Sequence, residues 1–166
     1  MLTVEALRAL LGLTPHPEGG YFAETYRSAD ELPGSALPSR YGAPRAVGTA
    51  IYYLLTPETF SAMHRLASDE VFHFYLGDPV EMLQLWPDGS HRVVTIGPDL
   101  EAGERPQVVV PRDVWPGARL RPGGRYALLG TTVAPAFTYA DYEPAPRAPL
   151  LATHPAAKDL ILALTR

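Results

Sequence analysis

His64 and Glu70 stand six residues apart in SAMHRLASDEVFHFYLG, the stretch from Ser61 to Gly77. An imidazole titrates near neutrality, and a carboxylate held beside it can take up or return a proton, so the pair could work as acid and base. The same two side chains could also begin a divalent metal site, with His64 and Glu70 as its first ligands. A third reading is a hydrogen-bonded pair that does no chemistry. All three need both groups on one side of the chain. The residue pattern supplies this: His64 closes a strand, Leu66 to Asp69 turn, and Glu70 opens the next strand, with Phe72, Phe74 and Leu76 following on its face. By the same alternation His73 points the other way.

A second segment with chemical content is HPEGGYFAETYRS, His16 to Ser28. Gly19-Gly20 allows a backbone conformation or a close approach that a β-carbon would block. Beyond it, Tyr21, Ala23, Thr25 and Arg27 alternate with Phe22, Glu24, Tyr26 and Ser28, as in a strand. Strict alternation places Glu24 and Tyr26 on one face and Tyr21 and Arg27 on the other. An Arg beside tyrosines suits a phosphate or carboxylate ligand, since the guanidinium fork bonds two oxygens at once. A salt bridge across a dimer interface is the structural alternative for Arg27, and Arg40 and Arg45 are further loop arginines. Tyr53, Phe72, Phe74, Trp115 and Tyr139 are expected to wall a ligand pocket, with Tyr53 and Tyr139 foremost because their hydroxyls need partners. His91 and His154 read as surface and cap positions, and Asp141 and Glu143 as a loop anchor or a solvated turn.

The elements that must carry these groups are mostly short strands. Runs at 48–55, 71–75, 80–86, 91–96, 107–110, 126–133 and 137–139 read as strands, and Asp88-Gly89 marks a hairpin between two of them. A short amphipathic helix opens the chain on Val4, Leu7, Leu10 and Leu11, with Thr3 as its N-cap and Gly12 as its stop. Another closes it on Leu160, Ile161 and Leu164 after Pro155. Ser28 to Ala46 is one long loop. The pattern is all-β, a sandwich or barrel with short terminal helices, and not an alternation of strands and helices.

Composition narrows the function classes. The 166 residues fit one domain, 1–166, and 46% hydrophobic content suffices for an ordinary core. Fourteen basic against eighteen acidic residues leave a net charge of −4, and no dense run of Lys or Arg could track a phosphate backbone, so nucleic acid is not the expected partner. With no Cys there is no disulfide or thiolate, and any metal falls to His, Asp, Glu, Gln or water. The opening MLTVEALRALLGL, broken by Glu5 and Arg8, is neither a membrane span nor a secretion signal. A cytoplasmic protein is expected, with no membrane partner.

The His64 segment resembles the first motif of the cupin superfamily: His-x-His, three or four residues, Glu, six residues, Gly. His64, Glu70 and Gly77 match in register, while Leu66 stands where the second His belongs. The second motif, Pro-x-Gly-x-x-His, is matched at Pro111, but Asp113 stands at the Gly and Pro116 at the His. HPEGGYFAETYRS, TAIYYLL, SAMHRLASDEVFHFYLGDPVEM, PQVVVPRDVWPGA and VAPAFTYADYE together are similar to one branch of that superfamily, the cupin 5 group. This resemblance implies a double-stranded β-helix, the cupin jelly-roll barrel, with a small-molecule ligand in its cavity and a homodimer as its assembly. It is similar in fold to nucleotide-sugar epimerases that need no cofactor, which implies isomerisation or epimerisation of a polar, anionic, sugar-like ligand by His64 and Glu70. With two motif histidines replaced, no cofactor is required, and a weakly bound divalent metal on His64 and Glu70 is the alternative. A non-catalytic binding or sensing cupin is the other.

Overall fold

The structure, a computed structural model, describes residues 2–166. Helix α1 (Val4–Leu11) begins at Thr3, whose hydroxyl accepts the Ala6 N–H, and stops at Gly12 in the left-handed region. It leads into β1 (Thr14–Pro15) and β2 (Tyr21–Arg27). The long loop is bracketed by β3 (Glu31–Leu32) and β4 (Arg45–Ala46), after which β5 (Thr49–Leu55) rejoins the main sheet. Two-residue strands β6 (Phe60–Ser61) and β7 (His64–Arg65) precede β8 (Asp69–Gly77), β9 (Val80–Leu85) and β10 (His91–Ile96). Then come β11 (Gln107–Val110), β12 (Trp115–Leu120), β13 (Ala127–Ala134) and β14 (Glu143–Pro144), and helices α2 (Arg147–Thr153) and α3 (Lys158–Leu164) end the chain. No described helix is long and apolar enough to cross a membrane.

Two antiparallel sheets face each other as a jelly-roll barrel, one in the order β1-β2-β5-β13-β8-β11 and the other β10-β9-β12-β6. Period-two alternation sorts the side chains between three apolar clusters. Inward-facing Tyr53, Leu55, Phe72, Met82, Val108 and Leu129 fill one end of the barrel interior. Outward-facing Leu54, Leu128 and Leu76 lie under α1 against Leu7, whereas Leu10 of that helix is 72% exposed. Outward-facing Leu83, Leu85 and Trp115 lie under α2 and α3 against Leu150, Ile161 and Leu164.

The structure departs from the sequence reading where the backbone breaks its own period. Strand β12 was not expected, because Pro116 and Gly117 interrupt its run, yet it pairs with β9 along its whole length. The strand expected at 137–139 is absent, and a 3-10 turn covers Tyr139–Asp141 instead. Helix α2 was missed because three prolines surround its start; Pro146 caps it and Pro149 falls in the first turn, where no N–H is needed. A register shift where β8 meets Leu128 and Leu129 moves Leu76 off the Phe72–Phe74 face and under α1. Asp113, at the glycine position of the second motif, keeps a left-handed φ of 69°.

The long loop is tied to the chain that follows β13. Arg45 bonds Asp141 at 2.7 Å and the Tyr41 carbonyl at 2.9 Å, with only 5% and 6% of the two charged side chains exposed. Asp141 is thus a loop anchor and not a solvated turn. Asp141→Asn should leave the buried guanidinium without its counter-charge and cost about 3–5 kcal/mol, read from the denaturant midpoint at unchanged slope.

Candidate functional site

The inward residues left over beyond the core line a cavity of about 320 Å³. The strand registers arrange them in tiers: Arg27, Thr49, Val133 and Glu70 form one, and Glu24, Ile51, Thr131 and Phe72 the next. Phe137, Thr138 and Tyr139 contribute from the segment after β13. In β2 the register shifts between Glu24 and Tyr26, so Thr25 is an extra residue and Arg27 turns to the side of Glu24. The sequence reading had put them on opposite faces. Arg27 instead grips Glu24 through two bonds of 2.9 and 2.8 Å and donates a third to the Phe137 carbonyl at 3.2 Å. Arg40 donates to the Ala67 carbonyl and Arg45 to Asp141, so of the three arginines only Arg27 lines the cavity.

Below the cavity lies a connected set of ionisable groups. The turn from His16 to Gly20 closes on itself through the His16 N–H to Gly20 carbonyl bond and the Gly19 N–H to His16 carbonyl bond, both 3.0 Å. Gly19 and Gly20 both have positive φ, 112° and 74°, and a β-carbon on Gly19 would fall on the Phe60 carbonyl oxygen. This turn presses against β6 and delivers Glu18 to the ring of His64. The His64 Nδ1–H is shared between Glu18 Oε2 at 2.7 Å and the Ala62 carbonyl at 2.9 Å. On the other side of the ring, Nε2 faces Glu70 Oε2 across 3.8 Å. Ser61 donates to Glu18 Oε2 at 3.3 Å, and Tyr142 stacks on the imidazole at 5.4 Å between centroids.

Burial and charge oppose each other here. Burial by itself would drive His64 to its neutral form, but Glu18, through its charge and hydrogen bond, and then Glu70 outweigh it and hold the imidazole pKa well above its ordinary value. Burial likewise raises Glu18, and the His64 charge with the bonds from His64 and Ser61 brings it below the usual range. His16 is pushed down by burial, in keeping with its Nδ1 accepting the Glu18 backbone N–H at 3.2 Å. Tyr53 is held well above its usual value by burial and by the Glu18 charge, and its hydroxyl donates to the Gly19 carbonyl at 2.7 Å.

Of the residues expected to touch a ligand, Arg27, Tyr139 and Glu70 line the cavity, and Tyr53, Phe72 and His64 border an inner void of about 10 Å³ beneath it. Phe74 lies one tier further in, packed on the core. Trp115 is excluded by parity: its neighbour Pro116 faces inward with Gln84, so the indole faces outward under α2 and α3. His16, Glu18, Thr131 and Tyr142 were not singled out from sequence. The signal available was the glycine pair itself, since a turn that needs two glycines is being held close to something. His73, as expected, is turned away from the cavity and bonds Thr132.

A family model described as "Cupin superfamily (DUF985)" matches residues 5–145. The chain belongs to the cupin superfamily. An uncharacterized protein of Saccharomyces cerevisiae, YML079W, is 29% identical over 138 residues, 78% of this chain and 69% of the yeast protein. Among solved structures, a hypothetical protein from Leishmania major is 32% identical with a TM-score of 0.88, covering 99% of each chain. Protein SO0799 of Shewanella oneidensis is 33% identical with a TM-score of 0.86, covering 100% of this chain and 99% of that one. Oxalate decarboxylase of Bacillus subtilis shares the fold at 14% identity and a TM-score of 0.53, this chain spanning 36% of its length.

Cupin barrels can hold metal, and Mn(II) centres are named for that decarboxylase. The donor set of the present cupin does not fit such a site. Leu66 and Pro116 replace two motif histidines, Nδ1 of His64 is engaged by Glu18, and only Nε2 and Glu70 remain. Among the described residues no three His, Cys, Asp or Glu converge as a metal-binding group.

The Glu18–His64 pair sets a pH dependence with a definite sign. A raised imidazole pKa contributes stability that is complete below the unfolded value of 6.5 and is lost as pH rises through the folded value. A lowered carboxyl pKa contributes stability that is complete above 4.5 and is lost as pH falls through the folded value. The stability difference between wild type and Glu18→Gln should therefore be largest between these two pH values and shrink on either side. Denaturant titrations across pH check this, and the imidazole signals of His64 in nitrogen-15 spectra should titrate well above neutrality in wild type and lower in Glu18→Gln.

Proposed function

We propose that this cupin binds a sugar-sized polar molecule in the barrel cavity and moves a proton on it, as an isomerase or epimerase does, through Glu70 backed by His64. One observation carries the reading: Glu70 is buried, lines the cavity floor, and its Oε2 has no hydrogen-bond partner while facing the His64 ring. A buried carboxylate oxygen left without a donor is costly unless a ligand supplies one. Glu70 takes a proton from the ligand and returns it to the same or the neighbouring atom, leaving the carboxylate as it began. His64 acts through Glu70. Its Nδ1 is anchored by Glu18, so the ring sits at a fixed distance of 3.8 Å behind the reacting oxygen. The cavity size falls at the lower end of small-molecule sites, which suits a single ring.

A second reading is a binding or sensing module. It is favoured by the position of His64, which borders the inner void and not the cavity wall, and so serves to hold Glu70 whether or not turnover follows.

Solvent deuterium separates the two. Candidate aldoses and ketoses incubated in deuterium oxide should gain label at one carbon with wild type, and Glu70→Gln should lower that rate by at least about a hundredfold, the usual weight of a general acid or base. Ligand-dependent thermal stabilisation without any label would give the binding module and sink the isomerase.

A further inference from the structure

The charge of the ligand can be read from what the cavity leaves unmatched. Three carboxylates, Glu18, Glu24 and Glu70, reach the cavity or its floor, and two of them are already neutralised. Glu24 is clamped by Arg27 through two bonds, and Glu18 faces His64 at 2.7 Å. Arg27, the cation on which recognition of an anion would depend, is already charge-paired with Glu24 and also donates to the Phe137 carbonyl. His16 is a poor substitute, because burial pushes it toward its neutral form and its Nδ1 is already engaged by Glu18. Glu70 is left, 8% exposed, with an unpartnered oxygen. The other unpartnered atom at the cavity is the hydroxyl oxygen of Thr138, which can also accept a hydrogen bond.

We propose that the cavity selects a small cationic ligand, a protonated amine carried on a compact ring, with the ammonium directed to Glu70 and the Thr138 hydroxyl. This rests on the reading of the cavity as the ligand site and sharpens it by naming the ligand's charge; it replaces the anion that Arg27 suggested in the sequence. An ammonium offers several donors and no acceptor, so it suits orphan oxygens, whereas an anion would add like charge beside Glu70 and would have to compete with Glu24 for Arg27. The ring has apolar walls to lie against, from Phe22, Ile51, Leu66 and Val133. Phe22 and Phe137 also present aromatic surface that favours a nearby cation.

Four probes decide it, with affinity for the purified protein measured by calorimetry at neutral pH: glucosamine, glucose, glucuronate and benzylamine. Glucosamine should bind at least about tenfold more tightly than glucose, a difference of about 1.4 kcal/mol, and glucuronate should not bind. Glu70→Gln should erase the preference, so that glucosamine and glucose bind alike, and Thr131→Trp, which fills the cavity, should remove binding of every probe. If either variant fails to fold, the order of the four probes on wild type still decides. Tighter binding of glucuronate or glucose than of glucosamine would overturn the proposed charge and leave the sugar-sized site standing. Benzylamine binding without any sugar would uphold the charge and overturn the sugar reading, and silence from all four would overturn the inference.

Discussion

An imidazole with almost no exposure, set between two carboxylates that push its pKa up against the effect of burial, is the arrangement on which the rest of the site depends. An unpaired charge at that depth would cost several kcal/mol, and the ring would simply lose its proton. The short contact from Nδ1 to Glu18 is what prevents this, and its geometry is demanding. Glu18 comes from a turn between the first two strands of one sheet, His64 from a two-residue strand paired with β14, and Glu70 from the strand after it. A displacement of the glycine turn would free Glu18, return His64 to its neutral form and leave Glu70 as the lone ionisable group at the floor.

That demand accounts for features that otherwise look unrelated. Gly19 and Gly20 are required by backbone conformation and by the approach to Phe60. The Ala62 N–H bonds the Glu18 carbonyl and the Met63 N–H bonds the Leu164 carbonyl, so the strand leading to His64 is pinned by the turn on one side and by the final helix on the other. On the cavity side, Tyr142 packs on the ring while its neighbours Asp141 and Glu143 are drawn to Arg45 and Arg65. The segment after β13 thus covers the imidazole and supplies one wall of the cavity, with a buried ion pair fixing its position.

The family's histidines that are replaced here fit the same picture. Leu66 adds an apolar wall to the cavity, and Pro116 lies in β12 opposite Gln84, facing the interior without a donor. Asp113, at the position of the motif glycine, adopts a left-handed backbone, and the histidine position three residues on is Pro116. His64, without the other two motif histidines, is engaged by Glu18 in a barrel whose frame is otherwise that of the superfamily.

Local pattern was enough to reveal an all-β chain and the pair His64 and Glu70, because strand alternation, the Asp88-Gly89 turn and the helix caps are all decided by neighbours a few residues apart. The motif resemblance chose the barrel over the sandwich. Val71, Phe72 and His73 alternate as they should, and β10 and β11 have the limits their residues suggest. Sequence failed where one residue broke the period. The extra Thr25 turned Arg27 toward Glu24, the shift near Leu128 moved Leu76 under α1, and Pro116 concealed a strand whose parity takes Trp115 out of the cavity. It also could not join Glu18 to His64. These residues are distant in the chain and meet only where the glycine turn packs against the strand leading to His64, so the contact that raises the imidazole pKa was decided by tertiary structure alone.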